Sequence, residues 1–139
     1  MGFATAGELV REGRTELIIG RDAAKLAAAK GALNREGSGQ VETMAGDLYD
    51  PTSVDAMIER IDAEPPHIDQ LVNAAGYFFP KSFLDHSRGD YDRYLELNRS
   101  TFFLTQAVAR NMARHGGGAI VNIGSMWAKQ AIKATPSSA

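Results

Sequence analysis

Four polar residues stand where a sheet-based active site would need them: Asp47, Asn73, Asn98 and Ser125. Asn73 gives the sharpest signal. An apolar run over residues 68–72 stops at Asn73 and is followed by three small residues, Ala74, Ala75 and Gly76. Buried parallel strands end this way at a ligand edge, because ligands in open α/β sheets bind beyond the carboxyl ends of the strands. Small side chains there let a flat ligand lie against the backbone, and Asn73 keeps an amide where the strand's hydrogen-bond ladder runs out. The plainer alternative is a strand-to-loop turn in which Gly76 supplies a positive φ. Ser125 closes a second apolar run, which brings its hydroxyl to the same edge, and Asp47 follows an alternating strand over 40–45. Asn98 shares a helical stripe with Tyr91, Tyr94, Leu95 and Phe102, at spacings of three and four. A polar residue on an apolar stripe needs a hydrogen-bond partner. Taken singly, each has a bland reading: a turn serine, a solvated loop acid, a core asparagine tied to backbone.

The elements that must position these residues alternate in type. Residues 2–12 read as a helix with Phe3, Ala6, Leu9 and Val10 on one face, stopped by Gly13. Residues 15–20 contain Leu17-Ile18-Ile19, a buried strand. Asp22 can cap a helix over 23–33, rich in Ala, Lys and Leu. Residues 40–45 form a less buried strand with Val41 and Met44 inward. Asp50-Pro51 opens a helix that carries Val54, Met57, Ile58 and Ile61 and ends before Pro65-Pro66. The Asn73 strand over 68–72 and an aromatic loop over 77–84 follow. Ser87, with Asp90 three residues on, resembles a capping box and starts a long helix to about Arg114. The turn Gly116-Gly117-Gly118 leads into a buried strand over 119–123, and residues 126–139 are small, polar and loop-like. Strands alternating with helices of this length imply βαβ units and a parallel sheet, hence an α/β, doubly wound architecture in a single domain over 1–139.

Composition narrows the function classes. A formal net charge of −2 over 139 residues leaves no nucleic-acid footprint. There is no cysteine, so neither disulfides nor thiolate chemistry are available, which fits a reducing compartment and a cytoplasmic location. No apolar run approaches membrane-spanning length, and the first residues lack the basic-then-apolar pattern of a signal peptide. Met1-Gly2 invites a myristoylation reading, but that motif wants Ser or Thr where Ala6 stands. No metal site is expected.

In combination the polar residues resemble the short-chain dehydrogenase/reductase family. Gly46-Asp47-Leu48 looks like its adenine-side segment, and Asn73-Ala74-Ala75-Gly76 like its signature after the fourth strand. Leu97-Asn98 resembles the site of its catalytic Asn, and Val121-Asn122-Ile123-Gly124-Ser125 the strand that ends in its catalytic Ser. The resemblance covers nearly the whole chain. It implies a Rossmann-type sheet, a nicotinamide dinucleotide, and hydride transfer to or from a carbonyl or alcohol carbon. A Tyr would exchange the proton, a Lys one helical turn later would lower the Tyr pKa, Ser125 would polarise the reacting oxygen, and Asn98 would hold a relay water. The inward-facing Asn98 is a condition of this reading: with Asn98 on the solvent face, or with antiparallel strands, the family assignment fails.

Two departures shape the expectation. The family's first strand and Gly-rich phosphate turn should precede the first helix, and only Gly2 could match the last glycine of that turn. The family's Tyr-x-x-x-Lys should follow Ser125 by about a dozen residues or slightly more, and Ala139 falls just there. The chain therefore reads as an internal piece with an incomplete sheet, its first strand and C-terminal part missing. Such a piece is expected to be poorly stable and, alone, inactive. Tyr77-Phe78-Phe79-Pro80-Lys81 matches Tyr-x-x-x-Lys by letter, but Pro80 is ill-suited to the helix that would align both side chains. Gly20-Arg21 ends the first strand of the chain with no acid at Gly20 to bind a ribose 2′-hydroxyl, while Arg21 offers a fork suited to phosphate, so NADP(H) is favoured over NAD(H). Met126, Trp127 and the loop at Tyr77 are expected to border an apolar substrate pocket. A small-molecule carbonyl or alcohol substrate and a homo-oligomeric intact protein follow from the resemblance. The alternatives are a non-catalytic dinucleotide-binding or sensing module, and an unrelated doubly wound domain in which Asn98 and Ser125 need not converge.

Overall fold

A computed structural model of the chain describes residues 1–63 and 67–125. The element order is α1 (Gly2–Arg11), β1 (Thr15–Gly20), α2 (Ala23–Leu33), β2 (Gln40–Ala45), α3 (Pro51–Ala63), β3 (Gln70–Asn73), a single 3-10 turn (Phe83–Asp85), α4 (Arg88–Arg114) and β4 (Ala119–Asn122). The strands form two parallel pairs, β1–β2 and β3–β4. Chain contacts divide the molecule into two compact units, Met1–Met57 and Ile58–Ala139, each described by itself.

In the first unit β1 and β2 run in register from Thr15 opposite Gln40 to Gly20 opposite Ala45. Ala6 and Val10 from α1, Leu33 from α2 and Val41 from β2 form a core against which Ile18 packs. The strand alternates, so Leu17 and Ile19 point the other way and remain 41% and 43% exposed. The expectation of a buried strand therefore holds for one face only. Val41 and Met44 are both buried. Their spacing of three puts them on opposite faces of β2, not on one inward face. Phe3, expected on the buried face of α1, is half exposed. Asp22 caps α2 by accepting from the Lys25 N–H at 3.0 Å, and Asp50 receives the Thr52 N–H at 3.0 Å at the start of α3.

In the second unit β3 and β4 pair from Gln70 opposite Ala119 to Asn73 opposite Asn122. Ser87 and Asp90 form a capping box at the head of α4. Lys81 adds an ion pair to Asp90 at 2.5 Å, and this partner, followed by Ser87, holds the Asp90 carboxyl well below the usual carboxylate range. The buried stripe of α4 is Tyr94, Leu97, Leu104, Val108 and Met112, with Asn111 fully enclosed. The other apolar stripe, Tyr91, Leu95 and Phe102, is exposed. β4 is exposed along its length, against the expectation of a buried strand. Parallel strands need cover on both faces, and among the described residues helix α4 reaches this pair through the face that carries Asn73.

Candidate active site

In each unit the carboxyl ends of the paired strands are where a ligand is expected. In the first unit the ends of β1 and β2 are tied by Gly46 N–H to Gly20 O at 3.0 Å. Arg21 leaves β1 directly beyond this bond. Asp47 heads a fixed turn: its N–H donates to Ser53 Oγ at 2.9 Å, and its Oδ1 accepts from the Tyr49 N–H at 3.0 Å. Leu48 lies inside this turn. The Arg21 guanidinium stands over the Tyr49 ring, 6.0 Å from its centroid. Asp22, adjacent to Arg21, is committed to the α2 cap, and the Lys25 N–H lowers its carboxyl pKa. Gly2 opens α1, whose N-cap Met1 supplies no side-chain bond and whose first turn holds no acid. Free N–H groups at such a terminus suit a phosphate.

In the second unit Asn73 is held from two sides. Its Nδ2 donates to Thr105 Oγ1 on α4 at 2.9 Å and to Asn122 Oδ1 on β4 at 2.8 Å. Its carbonyl accepts from the Ile123 N–H at 3.0 Å. The Asn73 amide thus locks β3, β4 and α4 together, and its partner Asn122 stands three residues before Ser125, which is exposed beyond β4. Among the described residues, a Cβ added at Gly76 or Gly124 would meet nothing within 4 Å. Neither is among the glycines of positive φ, which are Gly13, Gly116 and Gly117 among the described residues. Gly76 therefore does not serve a left-handed turn. It follows Ala74, which is half-buried, and Ala75, which is exposed.

Asn98 does not lie where expected. It is exposed, about 100° round the helix from buried Leu97. A helix of 27 residues carries two apolar stripes here, and the aliphatic one is buried. Its position is set by bonds the periodicity does not reveal: Thr105 to Asn73, and Asn111 Oδ1 to the Ile68 N–H at 2.9 Å. The Tyr77 loop packs on α4, with Tyr77 5.0 Å from the Tyr94 ring and the Phe79 N–H donating to Tyr94 Oη at 3.1 Å. Residues 77–81 are not helical and Lys81 is engaged by Asp90, which argues against a helical Tyr-x-x-x-Lys pair at Tyr77 and Lys81. Met126 and Trp127 lie outside the described residues.

Sequence reasoning missed Thr105, Asn122 and Tyr49. The first two carried a signal: Leu71-Val72-Asn73 and Ile120-Val121-Asn122 repeat one pattern, which in register sets two amides side by side.

Comparison with known proteins completes this picture. The sequence model of the family described as short chain dehydrogenase matches residues 1–137. Gluconate 5-dehydrogenase of Gluconobacter oxydans (strain 621H) is 33% identical over 94% of this chain and 51% of its own length. D-threitol dehydrogenase of Mycolicibacterium smegmatis is 36% identical over 82% of this chain and 51% of its own. Among solved structures, L-sorbose reductase from Gluconobacter frateurii, complexed with NADPH and L-sorbose, superposes with a TM-score of 0.89 at 27% identity. That superposition covers 99% of this chain and 52% of that one. The chain spans about half the length of these relatives.

Proposed function

Because the chain belongs to the short-chain dehydrogenase family, and its fold is accordingly the Rossmann-type α/β architecture, we propose that the intact protein is an NAD(P)(H)-dependent oxidoreductase. It moves hydride between a nicotinamide and a carbonyl or alcohol carbon of a small molecule. The observation that carries this reading is the family match over residues 1–137, joined to the Asn73 lock that sets Ser125 beyond the carboxyl end of a parallel pair. The outward Asn98 overturns the condition placed on it, since the family stands without it. The role of Asn98 as the holder of a relay water stays part of the proposal.

The residues fit a dinucleotide. Asn73, Ala74, Ala75 and Gly76 lie at a strand end, and the uncapped head of α1 at Gly2 would offer N–H groups to a phosphate. Arg21, Asp47 and Leu48 lie at the ends of β1 and β2, the adenine side by family resemblance. Bound nicotinamide dinucleotide would supply or accept the hydride. The Ser125 hydroxyl would donate to the reacting oxygen and stabilise charge developing there. Met126, Trp127 and Tyr77 would border the substrate. The proton requires a Tyr–Lys pair, and Tyr77 with Lys81 does not provide one. The 139-residue chain alone is therefore proposed to be inactive. NADP(H) is favoured over NAD(H), because Arg21 carries a phosphate-matching fork where an acid would exclude a 2′-phosphate.

No helix among the described residues is long and apolar enough to cross a membrane. A cytoplasmic, homo-oligomeric, single-domain enzyme without nucleic-acid partners completes the proposal. The test is NADPH and NADH oxidation by the intact protein against ketones and aldehydes, including keto sugars and keto sugar acids. Turnover with NADPH over NADH is expected. Tight cofactor binding without turnover on any of them would favour a sensing module.

A further inference from the structure

We propose that Tyr49 is a positioning residue for Arg21 and, through it, sets the preference of the intact protein for a dinucleotide bearing a 2′-phosphate monoester. The inference rests on the reading of Arg21 given above. Arg21 is exposed, and its guanidinium carbon lies over the half-buried Tyr49 ring at 6.0 Å from the centroid. That is the outer limit of an effective cation–π contact. The two residues leave neighbouring strands at one level, because Gly20 pairs with Ala45 and the Gly46 N–H bonds Gly20 O.

The two partners differ in freedom. Tyr49 sits on a turn fixed by three bonds: its own N–H to Asp47 Oδ1 at 3.0 Å, Asp47 N–H to Ser53 Oγ at 2.9 Å, and Asp50 N–H to Asp47 O at 3.2 Å. Arg21 carries a long side chain with many rotamers, which the ring restricts. The chemistry of the restraint matters. A carboxylate partner would occupy the in-plane N–H donors and cancel the charge that a phosphate needs. An aromatic ring uses the face of the guanidinium and leaves its edge donors free for two parallel bonds to a phosphate. Asp22, the acid beside Arg21 in sequence, is spent on the α2 cap. Arg21 is thus oriented by a ring while its charge remains available.

The test titrates the intact protein with NADPH and with NADH and compares the ratio of the two Kd values across variants. Arg21→Gln is expected to lower the preference for NADPH by about tenfold or more. Tyr49→Leu should lower it by about threefold, with Tyr49→Phe keeping the wild-type ratio. In turnover, Tyr49→Leu should raise KM for NADPH while leaving kcat at saturating NADPH in place. A Tyr49→Leu variant that weakens both cofactors equally, or that keeps the wild-type ratio while Arg21→Gln loses it, would overturn the role of Tyr49 and leave that of Arg21 standing. If Tyr49→Leu does not fold, Tyr49→Trp decides: a larger ring should hold or raise the ratio, and a fall to the Arg21→Gln value overturns the proposal. An Arg21→Gln variant with an unchanged ratio removes the reading of Arg21 itself, and the role of Tyr49 with it.

Discussion

At its amino end the β3–β4 pair is tied by several side-chain bonds and tight glycine packing; at its carboxyl end it is locked by one amide, and the described residues leave room beside Gly76 and Gly124. The amino end holds fully buried Asn111, whose Oδ1 takes the Ile68 N–H. His67 bonds the Gly117 carbonyl at 2.7 Å, His115 bonds the Asn111 carbonyl at 2.8 Å, and the two rings stack at 5.7 Å. Gly116 and Gly117 take φ values of 97° and 110°, which only glycine adopts without strain. A Cβ on Gly118 would fall 2.7 Å from Met112 and 2.9 Å from Asp69 O. The carboxyl end has the Asn73 amide, Thr105 and Asn122, then Gly76 and Gly124, where an added Cβ would meet no described residue within 4 Å. Glycine is required at one end by packing and at the other by nothing inside the described chain. The difference teaches that the amino end is fixed by packing within the chain, whereas the carboxyl end is where the proposed function would place a ligand.

Removing the keystone of the closed end should have the largest effect on stability. Asn111→Ala leaves the Ile68 N–H buried without its acceptor and is expected to cost about 2–3 kcal/mol. Urea unfolding of the intact protein measures this, and NADPH affinity of the folded variant should be retained. Wild-type unfolding in Asn111→Ala would break the comparison at its firmest point.

The glycines sharpen it. Gly118→Ala is expected to destabilise by about 1–3 kcal/mol, because the added methyl overpacks against Met112 and backbone. Gly76→Ala and Gly124→Ala should change stability by no more than about 0.5 kcal/mol, yet weaken cofactor or substrate binding. Equal stability losses at all three positions would show that both ends are packed alike.

Much of this difference could be read from the residues, and the rest could not for physical reasons. Helix bounds, the Asp22 cap, the Ser87–Asp90 box and the parallel pairing followed from local chemistry and matched the structure closely. The choice between the two stripes of α4 did not. Both have helical spacing, and bonds between residues 43 and 32 positions apart, Ile68 to Asn111 and Asn73 to Thr105, decide which is buried. The burial of β1 and β4 was overestimated for a related reason: an apolar run reports what a strand can bury, and its neighbours determine what it does bury. Gly76 was legible as a special position, though the left-handed alternative offered for it does not hold.

The smallest effect concerns the helix that both ends share. Asp90 is held below its ordinary value of 3.8 first by Lys81 and then by Ser87. A carboxyl with a depressed folded-state pKa contributes stability above its unfolded value, and that contribution fades as pH falls through the folded one. The head of α4 should therefore loosen only under acid conditions below about pH 4. Asp90→Asn should remove that part of the acid dependence. Following the Asp90 carboxyl by NMR through an acid titration checks the direction, and an unshifted or raised midpoint would contradict it.

The claim that the open end is the chemical end is tested most directly at Ser125. The measurement is steady-state NADPH oxidation by the intact protein and its Ser125→Ala variant, with a ketone turned over by the wild type. The expected result is a fall in kcat of about a hundredfold or more with NADPH affinity retained, because the hydroxyl is needed only where charge develops on the reacting oxygen. Wild-type kcat in Ser125→Ala would show that the chemistry lies elsewhere.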